Sequence, residues 1–355
     1  MLDGNEGTTK MPAVSLVRSI SCSVAVAGLA LFPLVAQAQS AADFYKGRNV
    51  DLLIGYSVGG GYDVYARTIA RHLGKHLPSD PNIVPKNMEG AGSLRLANWL
   101  YNVGAKDGGV LGTIGRGTGF DPLLGHKAAQ FDGTKFNWLG SANDEVSVCV
   151  AWSARAKVKK FDDLLKTELA VGGTGSAADT DQFPRIINGV LGTKMKIITG
   201  YPGGNDINLA MERGEVDGRC GWSWSSLKST RGSWITDKKI TVLMQLSLSK
   251  HPELPDVPLV TDLAKTEEQR QILRLIFARQ VMGRPYLAPP GVPADRVAAL
   301  RAAFAATMAD KDFLAEAEKA QLEITPVSGE AVQKLVNEVY QTPPEIAKKA
   351  ADLLK

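Results

Sequence analysis

Residues 55–67 read Gly-Tyr-Ser-Val-Gly-Gly-Gly-Tyr-Asp-Val-Tyr-Ala-Arg, and they join an apolar run at 50–54 to an amphipathic stretch that begins at Asp63. Glycine allows a sharp turn and lets a ligand approach the backbone amides closely. A helix start leaves unpaired N–H groups and a partial positive charge, so this junction suits an anion. A nucleotide-binding P-loop would end in Gly-Lys-Ser/Thr, and no lysine follows these glycines. The alternative is a tight strand-to-helix turn with Asp63 as its N-cap.

Two further glycine turns resemble this one. Residues 200–207, Gly-Tyr-Pro-Gly-Gly-Asn-Asp-Ile, again follow a β-rich run and precede a helical segment. The third turn, Gly-Gly-Thr-Gly-Ser at 172–176, follows a short predicted strand. Ligands of open α/β sheets bind beyond the carboxyl ends of strands, where such turns cluster. Three turns spread over both halves of the chain therefore predict a ligand cleft between two α/β lobes.

Strands and helices alternate along the chain, and this alternation predicts an α/β fold with parallel sheets covered by helices. The long runs at 145–152 and 277–287 are predicted to cross between the lobes. The predicted strands are 50–54, 83–84, 110–114, 146–152, 169–171, 195–198, 216–217 and 240–246, and the predicted helices are 63–77, 92–103, 119–125, 180–191, 205–213, 266–277, 293–309, 311–320 and 328–354.

The N-terminal segment predicts export. Arg18 precedes an apolar run at 24–35, which ends in Ala36-Gln37-Ala38. These are the charge, the apolar core and the small-residue cleavage site of a secretory signal, and the run is too short to span a bilayer well. We therefore expect residues 1–38 to be a signal peptide, with translation starting at Met1 or at Met11.

Composition indicates an ordinary globular protein. The chain has 355 residues, of which 44% are hydrophobic and 22% charged, and this length is typical of two domains. The net charge of +4 helps to attract an anion but is far below that of a nucleic-acid-binding protein. Cys149 and Cys220 both lie in β-like runs. An oxidising compartment permits a disulfide between them, and two buried thiols are the favoured alternative.

Several short motifs, in their order and spacing, resemble one protein family over nearly all of the chain after residue 38. These motifs are Gly59-Gly60-Gly61-Tyr62-Asp63 with Ala66-Arg67, Asn87 with Gly90-Ala91-Gly92, Asp107-Gly108, Gly173-Thr174-Gly175-Ser176, Tyr201 with Gly203, Gly214-Glu215-Val216-Asp217, Pro255-Asp256-Val257-Pro258 and Ala288-Pro289-Pro290-Gly291-Val292-Pro293. Together they look like those of the extracytoplasmic solute receptors of tripartite tricarboxylate transporters, the Bug-type receptors.

The resemblance implies a two-lobed periplasmic-binding-protein type II architecture with a ligand cleft between the lobes. Lobe 1 would comprise 39–148 and 279–355, and lobe 2 would be the inserted segment 149–278. It implies a periplasmic protein that captures an organic carboxylate (a dicarboxylate, a tricarboxylate or an aromatic acid) and delivers it to two integral membrane subunits. We expect a monomer that binds no nucleic acid, no metal and no cofactor and has no catalytic residues.

The family's three ligand loops map onto residues of this chain. Val58 replaces a proline that is usual in the family, and Asp179 stands where the family often has histidine. The loops comprise Ser57, Val58, Gly59, Gly60, Gly61, Tyr62 and Asp63; Thr174, Gly175 and Ser176; and Tyr201, Pro202 and Gly203.

Three further side chains are candidates from the sequence itself. Arg116, which follows the strand predicted at 110–114, offers a bidentate clasp for a carboxylate, and the alternative is a surface or interlobe salt bridge. Trp222 and Trp224, together with Tyr62, would line an apolar middle for an aromatic or long-chain acid. Aromatic residues near glycine turns are as often part of a core.

Enzymatic alternatives have weaker support in the sequence. His72 and His76 share a helix face at metal-binding spacing, but no glutamate follows His72 as a zinc hydrolase helix requires. Ser176 lies in a glycine turn without the Gly-x-Ser-x-Gly motif of α/β-hydrolases. A secreted hydrolase of carboxylate esters is the alternative enzyme function, and a ligand-binding partner of a membrane sensor is the alternative binding function.

Overall fold

The computed structural model describes residues 40–355, which form eleven strands and thirteen α-helices. The predicted signal peptide lies outside the described residues. The strands are β1 (Asn49–Ile54), β2 (Asn82–Asn87), β3 (Val110–Thr113), β4 (Asn137–Ser141), β5 (Ser147–Trp152), β6 (Leu169–Gly172), β7 (Met195–Ile198), β8 (Gly218–Ser223), β9 (Ile240–Leu246), β10 (Pro285–Ala288) and β11 (Val327–Ser328). The α-helices are α1 (Ala41–Tyr45), α2 (Gly61–Leu73), α3 (Leu94–Asn102), α4 (Phe161–Leu164), α5 (Asp179–Leu191), α6 (Gly204–Arg213), α7 (Trp224–Arg231), α8 (Ser233–Thr236), α9 (Glu267–Phe277), α10 (Ala294–Met308), α11 (Lys311–Lys319), α12 (Gly329–Val339) and α13 (Pro344–Leu353).

The strands form two sheets, and each sheet belongs to one lobe. The first sheet has the order β11-β4-β10-β3-β1-β2, and the second has the order β7-β6-β8-β5-β9. This arrangement is the α/β, two-sheet architecture that the glycine turns and the resemblance predict. The expectation of purely parallel sheets is wrong. β10 runs antiparallel to β3 and β4, and β5 runs antiparallel to β8 and β9, because these strands carry the chain back from or into the other lobe.

The chain passes from the first sheet to the second at 142–146 and returns at 278–284. The two crossing segments are hydrogen-bonded to each other. Ala142 N donates to Arg284 O at 3.0 Å, Gly283 N donates to Asn143 O at 2.9 Å and Glu145 N donates to Gln280 O at 2.8 Å. The crossings therefore form a paired connection between the lobes. The lobe limits expected from the sequence, 148/149 and 278/279, stay a prediction.

The opening glycine turn is positioned by the core of the first lobe. Val50, Leu52 and Ile54 of β1 are fully buried, and the amphipathic helix α2 packs Tyr65 and Ile69 into the same cluster. This packing holds the junction at residues 55–61 at the carboxyl edge of the sheet. Among the described residues, no helix is both long and apolar enough to cross a membrane.

Several regions differ from the elements expected from the sequence, among them the helix expected at 119–125, which is a single 3-10 turn at Thr118–Phe120. The short strand expected at 216–217 is absent, and β8 begins one residue later, at Gly218. The helix α7 follows β8 directly in a segment for which no helix was predicted. β4 was also not predicted. The helix expected at 328–354 is interrupted between α12 and α13, where Pro343 and Pro344 lack the N–H groups that would continue it.

Cys149 and Cys220 form a disulfide between β5 and β8, so the favoured expectation of two buried thiols is wrong. The two strands are antiparallel neighbours in the second sheet. The two cysteines are 71 residues apart in the chain, so the sequence alone does not show that their strands are neighbours.

Candidate functional site

A small cavity lies between the two lobes. Its volume is about 40 Å³, which is room for about three water molecules. Even a small dicarboxylate, and still more an aromatic or long-chain acid, would therefore require the cavity to widen. The lining residues come from both lobes: Tyr56, Gly60, Gly61, Tyr62, Arg116, Thr174, Ala178, Asp179, Thr180, Gly204, Arg219, Gly221, Ser223 and Ser226.

Four helices begin at this cavity. The first residues of α2 and α6 contribute Gly61 and Gly204, while α5 contributes Asp179 and α7 contributes Ser226. Among residues 40–355, none accepts a hydrogen bond from the amides of Gly61 or Gly204. Each helix start carries roughly half a positive charge. The starts of α2 and α6 therefore make the cavity favourable for an anion, whereas α5 begins with Asp179 and the first amides of α7 donate to Val146 O and Glu145 Oε1.

Glycine is required where the lobes meet at the cavity. A Cβ atom on Gly61 would lie 1.7 Å from Ser226 Oγ, and one on Gly204 would lie 2.4 Å from Arg219 Nη2. Both glycines have ordinary negative φ values, so it is space and not backbone conformation that excludes a side chain. At Gly60 an added Cβ would meet only ordinary contacts of 3.7 to 3.9 Å. The tightest approach of the first turn is therefore at Gly61.

Arg219 is a buried arginine without a carboxylate partner. It lies on β8 with 9% of its surface exposed, and no carboxylate of the described residues lies within 4.0 Å of its guanidinium. Its Nη1 donates to Gly204 O and to Asn208 Oδ1, each at 3.0 Å, and the guanidinium stacks on Trp222 with 4.5 Å to the ring centroid. Burial lowers the pKa of Arg219 to about 9, so the side chain is still protonated at neutral pH.

Arg116 forms the interlobe salt bridge that was the alternative to a ligand clasp. Its Nε lies 2.8 Å from Asp179 Oδ2, and its Nη1 donates to Gln280 Oε1 at 2.6 Å. Its Nη2 donates to Ser223 Oγ. Burial acts to lower the pKa of Arg116, but Tyr62, Asp179 and Glu145 raise it above its ordinary value. The charges of Arg116 and Asp179 therefore compensate each other within the wall of the cavity.

A second buried ion pair lies behind the cavity, at the paired crossings. Arg284 Nη2 lies 3.3 Å from Glu145 Oε2, and both side chains are almost fully buried. Arg284 also donates to Ser223 Oγ at 3.1 Å and to Ser226 Oγ at 2.5 Å. Because both serine oxygens accept from an arginine, their hydroxyl protons are available to donate to an anion in the cavity.

The structure brings some of the residues predicted from the sequence together at the cavity and places the others elsewhere. Those that line it are Gly60, Gly61, Tyr62, Arg116, Thr174 and Asp179. Those that do not line it are Ser57, Val58, Gly59, Asp63, Gly175, Ser176, Tyr201, Pro202, Gly203 and Trp222.

In the first loop, the residues outside the cavity have structural contacts of their own. Val58 is 63% exposed. Ser57 Oγ donates to Asp206 Oδ2 at 2.6 Å, so it links the two lobes. Asp63 is buried, accepts from Gly59 N at 2.9 Å and pairs with Arg67 at 2.9 Å. Asp63 therefore stabilises the glycine turn, but the expectation that it is the N-cap is wrong, because Gly60 is the N-cap and Asp63 is the third residue of α2.

In the second loop, two residues lie behind the cavity wall. Gly175 N donates to Asp181 Oδ2 at 2.9 Å, and Gly175 packs against the backbone of Ala91. Ser176 is exposed, and its hydroxyl lies 2.6 Å from His126 Nε2. The serine therefore contacts the first lobe outside the cavity.

The third loop and the tryptophans also lie off the cavity. Tyr201 is half-buried beside Glu215, and Pro202 is exposed. Gly203 is the N-cap of α6 and lies against Ser57. Trp222 is 1% exposed in a core cluster that includes Trp234, where it supports Arg219 from behind.

Sequence analysis missed eight lining residues. They are Tyr56, Ala178, Thr180, Gly204, Arg219, Gly221, Ser223 and Ser226. One signal was present, because Arg219 is a lone charge in the otherwise uncharged run Gly218–Ser223. A charged residue inside a buried strand has either a partner or a function.

His72 and His76, which have metal-binding spacing in the sequence, each contact a carboxylate instead. His72 lies 2.7 Å from Glu316, and His76 lies 2.8 Å from Asp310. Within residues 40–355, His251, Glu253 and Glu323 could together hold a metal ion. The ammonium of Lys228 already lies 2.9 Å from Glu253 and 2.5 Å from Glu323. A cationic side chain therefore occupies this cluster.

No protein-family model and no curated protein matches this sequence. Solved structures do match it. The periplasmic binding protein BugD superimposes with a TM-score of 0.70 at 21% identity, covering 86% of this chain and 98% of that chain. MatC from Rhodopseudomonas palustris with bound malate gives a TM-score of 0.67 at 18% identity, with coverages of 87% and 99%.

A third match is a protein from R. palustris with adipate. It gives a TM-score of 0.67 at 17% identity, with coverages of 86% and 97%. The similarity spans nearly the whole of each of these proteins and includes both sheets. The fold of this chain is therefore that of the two-lobed periplasmic solute-binding proteins, with BugD and MatC among its structural neighbours.

Proposed function

We propose that this protein is an extracytoplasmic receptor that captures a small organic carboxylate and delivers it to a tripartite tricarboxylate-type transporter. One observation carries the proposal: the free helix starts of α2 and α6 and Arg219, which has no carboxylate partner among residues 40–355, converge on one interlobe cavity. Such a cavity is favourable for a negatively charged solute and unfavourable for a cation.

The energetics agree with a carboxylate held by both lobes. Micromolar affinity requires about 8 kcal/mol net, and a hydrogen bond to a charged group contributes roughly 1.5–3 kcal/mol. Two or three amides from one lobe would therefore be insufficient once the cost of association is included. The cavity adds amides, serine hydroxyls and a guanidinium from the other lobe.

The malate and adipate of two structural neighbours support the same class of ligand. The neighbours are binding proteins, so a hydrolase is not favoured, and we expect binding without turnover. The proposal includes a periplasmic location after removal of residues 1–38, a monomeric state and two integral membrane subunits as partners. It also includes the lobe limits 39–148 with 279–355, and 149–278.

The test is a thermal-shift screen of residues 39–355 with dicarboxylates, monocarboxylates and the corresponding neutral amides at constant ionic strength. A ligand at 100 times its Kd stabilises by about 2.7 kcal/mol, which is a clear rise in Tm. We expect such a rise with at least one carboxylate and none with its amide. If the amides stabilise the protein as well as the acids do, or if no acid does so, the proposal is wrong.

A further inference from the structure

We propose that Arg219 determines the specificity of this receptor: it holds a second anionic group of the ligand, so the site selects small dianions over monoanions and over α-amino acids. This inference rests on the proposed function. It concerns a residue that is unrelated to the three glycine loops, because Arg219 lies within the strand β8.

The charge balance of the cavity is the first step. Within residues 40–355, three charged side chains line it, namely Arg116, Asp179 and Arg219. Arg116 and Asp179 pair with each other at 2.8 Å, so the charge of Arg219 is left over. The starts of α2 and α6, whose first amides have no partner in the described chain, together add roughly one further positive charge. A monoanion would leave part of this positive potential uncompensated, whereas a dianion matches it better.

The geometry of Arg219 is the second step. Its Nη1 is anchored by Gly204 O and Asn208 Oδ1, so the guanidinium is fixed in position. Among the described residues, none accepts a hydrogen bond from Nε or Nη2, and Nε is buried. The N–H groups of Nε and Nη2 are parallel and form the edge with which an arginine binds a carboxylate in bidentate fashion. A carboxylate oxygen reaches Nε only when the cavity widens, because Nε has no accessible surface in this structure.

The position of this free edge is the third step. Nη2 lies beside Gly204, at the start of α6, where the absence of a side chain leaves room for it. The amide of Gly204 has no partner in the described chain either. One carboxylate at this point would therefore receive hydrogen bonds from the guanidinium and from the helix start together. The start of α2 and the hydroxyl of Ser226 remain for the other anionic group, because the first amides of α7 already donate to Val146 O and Glu145 Oε1.

The discrimination against amino acids has a separate reason. An ammonium group is bound best by a free carboxylate, and Asp179 is the only acid of the described chain that lines the cavity. Its oxygens lie 2.8 Å from Arg116 and 3.4 Å from Arg279, so two arginines share it. An α-ammonium would therefore meet positive potential without a partner, and we expect amino acids to be bound weakly.

Isothermal titration calorimetry on residues 39–355 tests the inference. The probes are malonate, succinate, glutarate and adipate, each compared with the straight-chain monoacid of equal length, and L-aspartate is compared with succinate. For the best dicarboxylate we expect at least tenfold tighter binding than for its monoacid, and we expect succinate to bind at least tenfold tighter than L-aspartate.

The variant Arg219→Gln removes the charge and keeps a donor for Gly204 O and Asn208. We expect its affinity for the dicarboxylate to fall by about ten- to a hundredfold, and its affinity for the monoacid by less than about threefold. Arg213→Gln is the matched control. It removes one positive charge from the end of α6, where the side chain is 70% exposed, and we expect less than about a twofold change.

Equal losses for the diacid and the monoacid would show that Arg219 only supports the structure, and they would overturn the inference. Equal binding of both acids by the unchanged protein would also overturn it while the proposed function stands. If no acid binds at all, the proposed function itself fails. Should Arg219→Gln not fold, Arg219→Lys serves instead. Lysine keeps the positive charge but lacks the two parallel N–H groups of a guanidinium. We therefore expect the affinity for the diacid to fall at least fivefold, while some preference for the diacid over the monoacid is retained.

Discussion

Replacement of Gly61 by alanine should push the two lobes apart, because the added methyl group has no room between them. The added Cβ would lie 1.7 Å from Ser226 Oγ and 2.6 Å from Ser226 Cβ. A different serine rotamer moves Oγ away but leaves Cβ in place. Ordinary carbon–carbon contacts are about 3.5–4.0 Å, so α2 and α7 would have to separate by about 1 Å. An overpacked contact of this kind costs about 1–3 kcal/mol.

Because α2 belongs to the first lobe and α7 to the second, the strain is relieved most easily if the cleft opens. Each 1.4 kcal/mol is tenfold in Kd, so we expect about a 5- to 150-fold loss of affinity. Calorimetry with the best dicarboxylate of the screen measures this loss, and small-angle scattering should show a larger radius of gyration in the presence of that acid than for the unchanged protein.

Two variants control for other causes. Gly60→Ala adds the same methyl group one residue earlier, where it meets only ordinary contacts, and we expect less than about a threefold change. Gly61→Ala combined with Ser226→Gly removes the opposing Cβ and should recover much of the compact form. Wild-type affinity in Gly61→Ala, or a larger loss in Gly60→Ala, would refute the reasoning.

Three further predictions concern other parts of the molecule. Thiol titration of residues 39–355, denatured without a reducing agent, should find no free thiol, and two free thiols would contradict the pairing of Cys149 with Cys220. Replacing both cysteines by alanine should lower the free energy of unfolding by about 4 kcal/mol, because the disulfide closes a loop of 71 residues. Burial lowers the pKa of His126, so the unfolded chain binds a proton more readily than the folded one, and stability falls as the pH drops below about 6.5. His126→Asn should reduce this loss in urea unfolding at about pH 5.5 relative to about pH 7.5, and an unchanged difference would contradict the pKa shift. Ser176→Ala should change ligand affinity in calorimetry by less than about threefold, because the hydroxyl contacts His126 outside the cavity; a tenfold loss would return Ser176 to the site.

The sequence predicts the parts of the site that depend on local chemistry. The turn at Gly60 and Gly61 is recognisable because an apolar strand, a glycine run and an amphipathic helix follow one another within a few residues. The same holds for the start of α6 near Gly204. Such signals need no knowledge of which strands are neighbours, so the cleft between two α/β lobes could be predicted from them.

Arg219 and the serines of α7 could not be predicted in this way. Whether a side chain of β8 meets the cavity or the core depends on the register of the strand and on which lobe faces it. For this reason the sequence could not show that Trp222 lies in the core, where its ring stacks against the guanidinium of Arg219 and does not line the cavity. The sequence also could not decide whether Arg116 binds the ligand or forms a salt bridge, because its partner Asp179 belongs to the other lobe.

The order of strands in the first sheet has a consequence for how the chain folds. β10 lies between β3 and β4 in that sheet, yet it follows all five strands of the second sheet in the chain. As the polypeptide emerges, the second lobe can complete its sheet while β1–β3 still lack the strand that connects them to β4. The first lobe must then close a long loop, which is slow, and until it does so β3 presents an unpaired edge. We expect the first lobe to fold last and to be the part of the molecule from which aggregation starts.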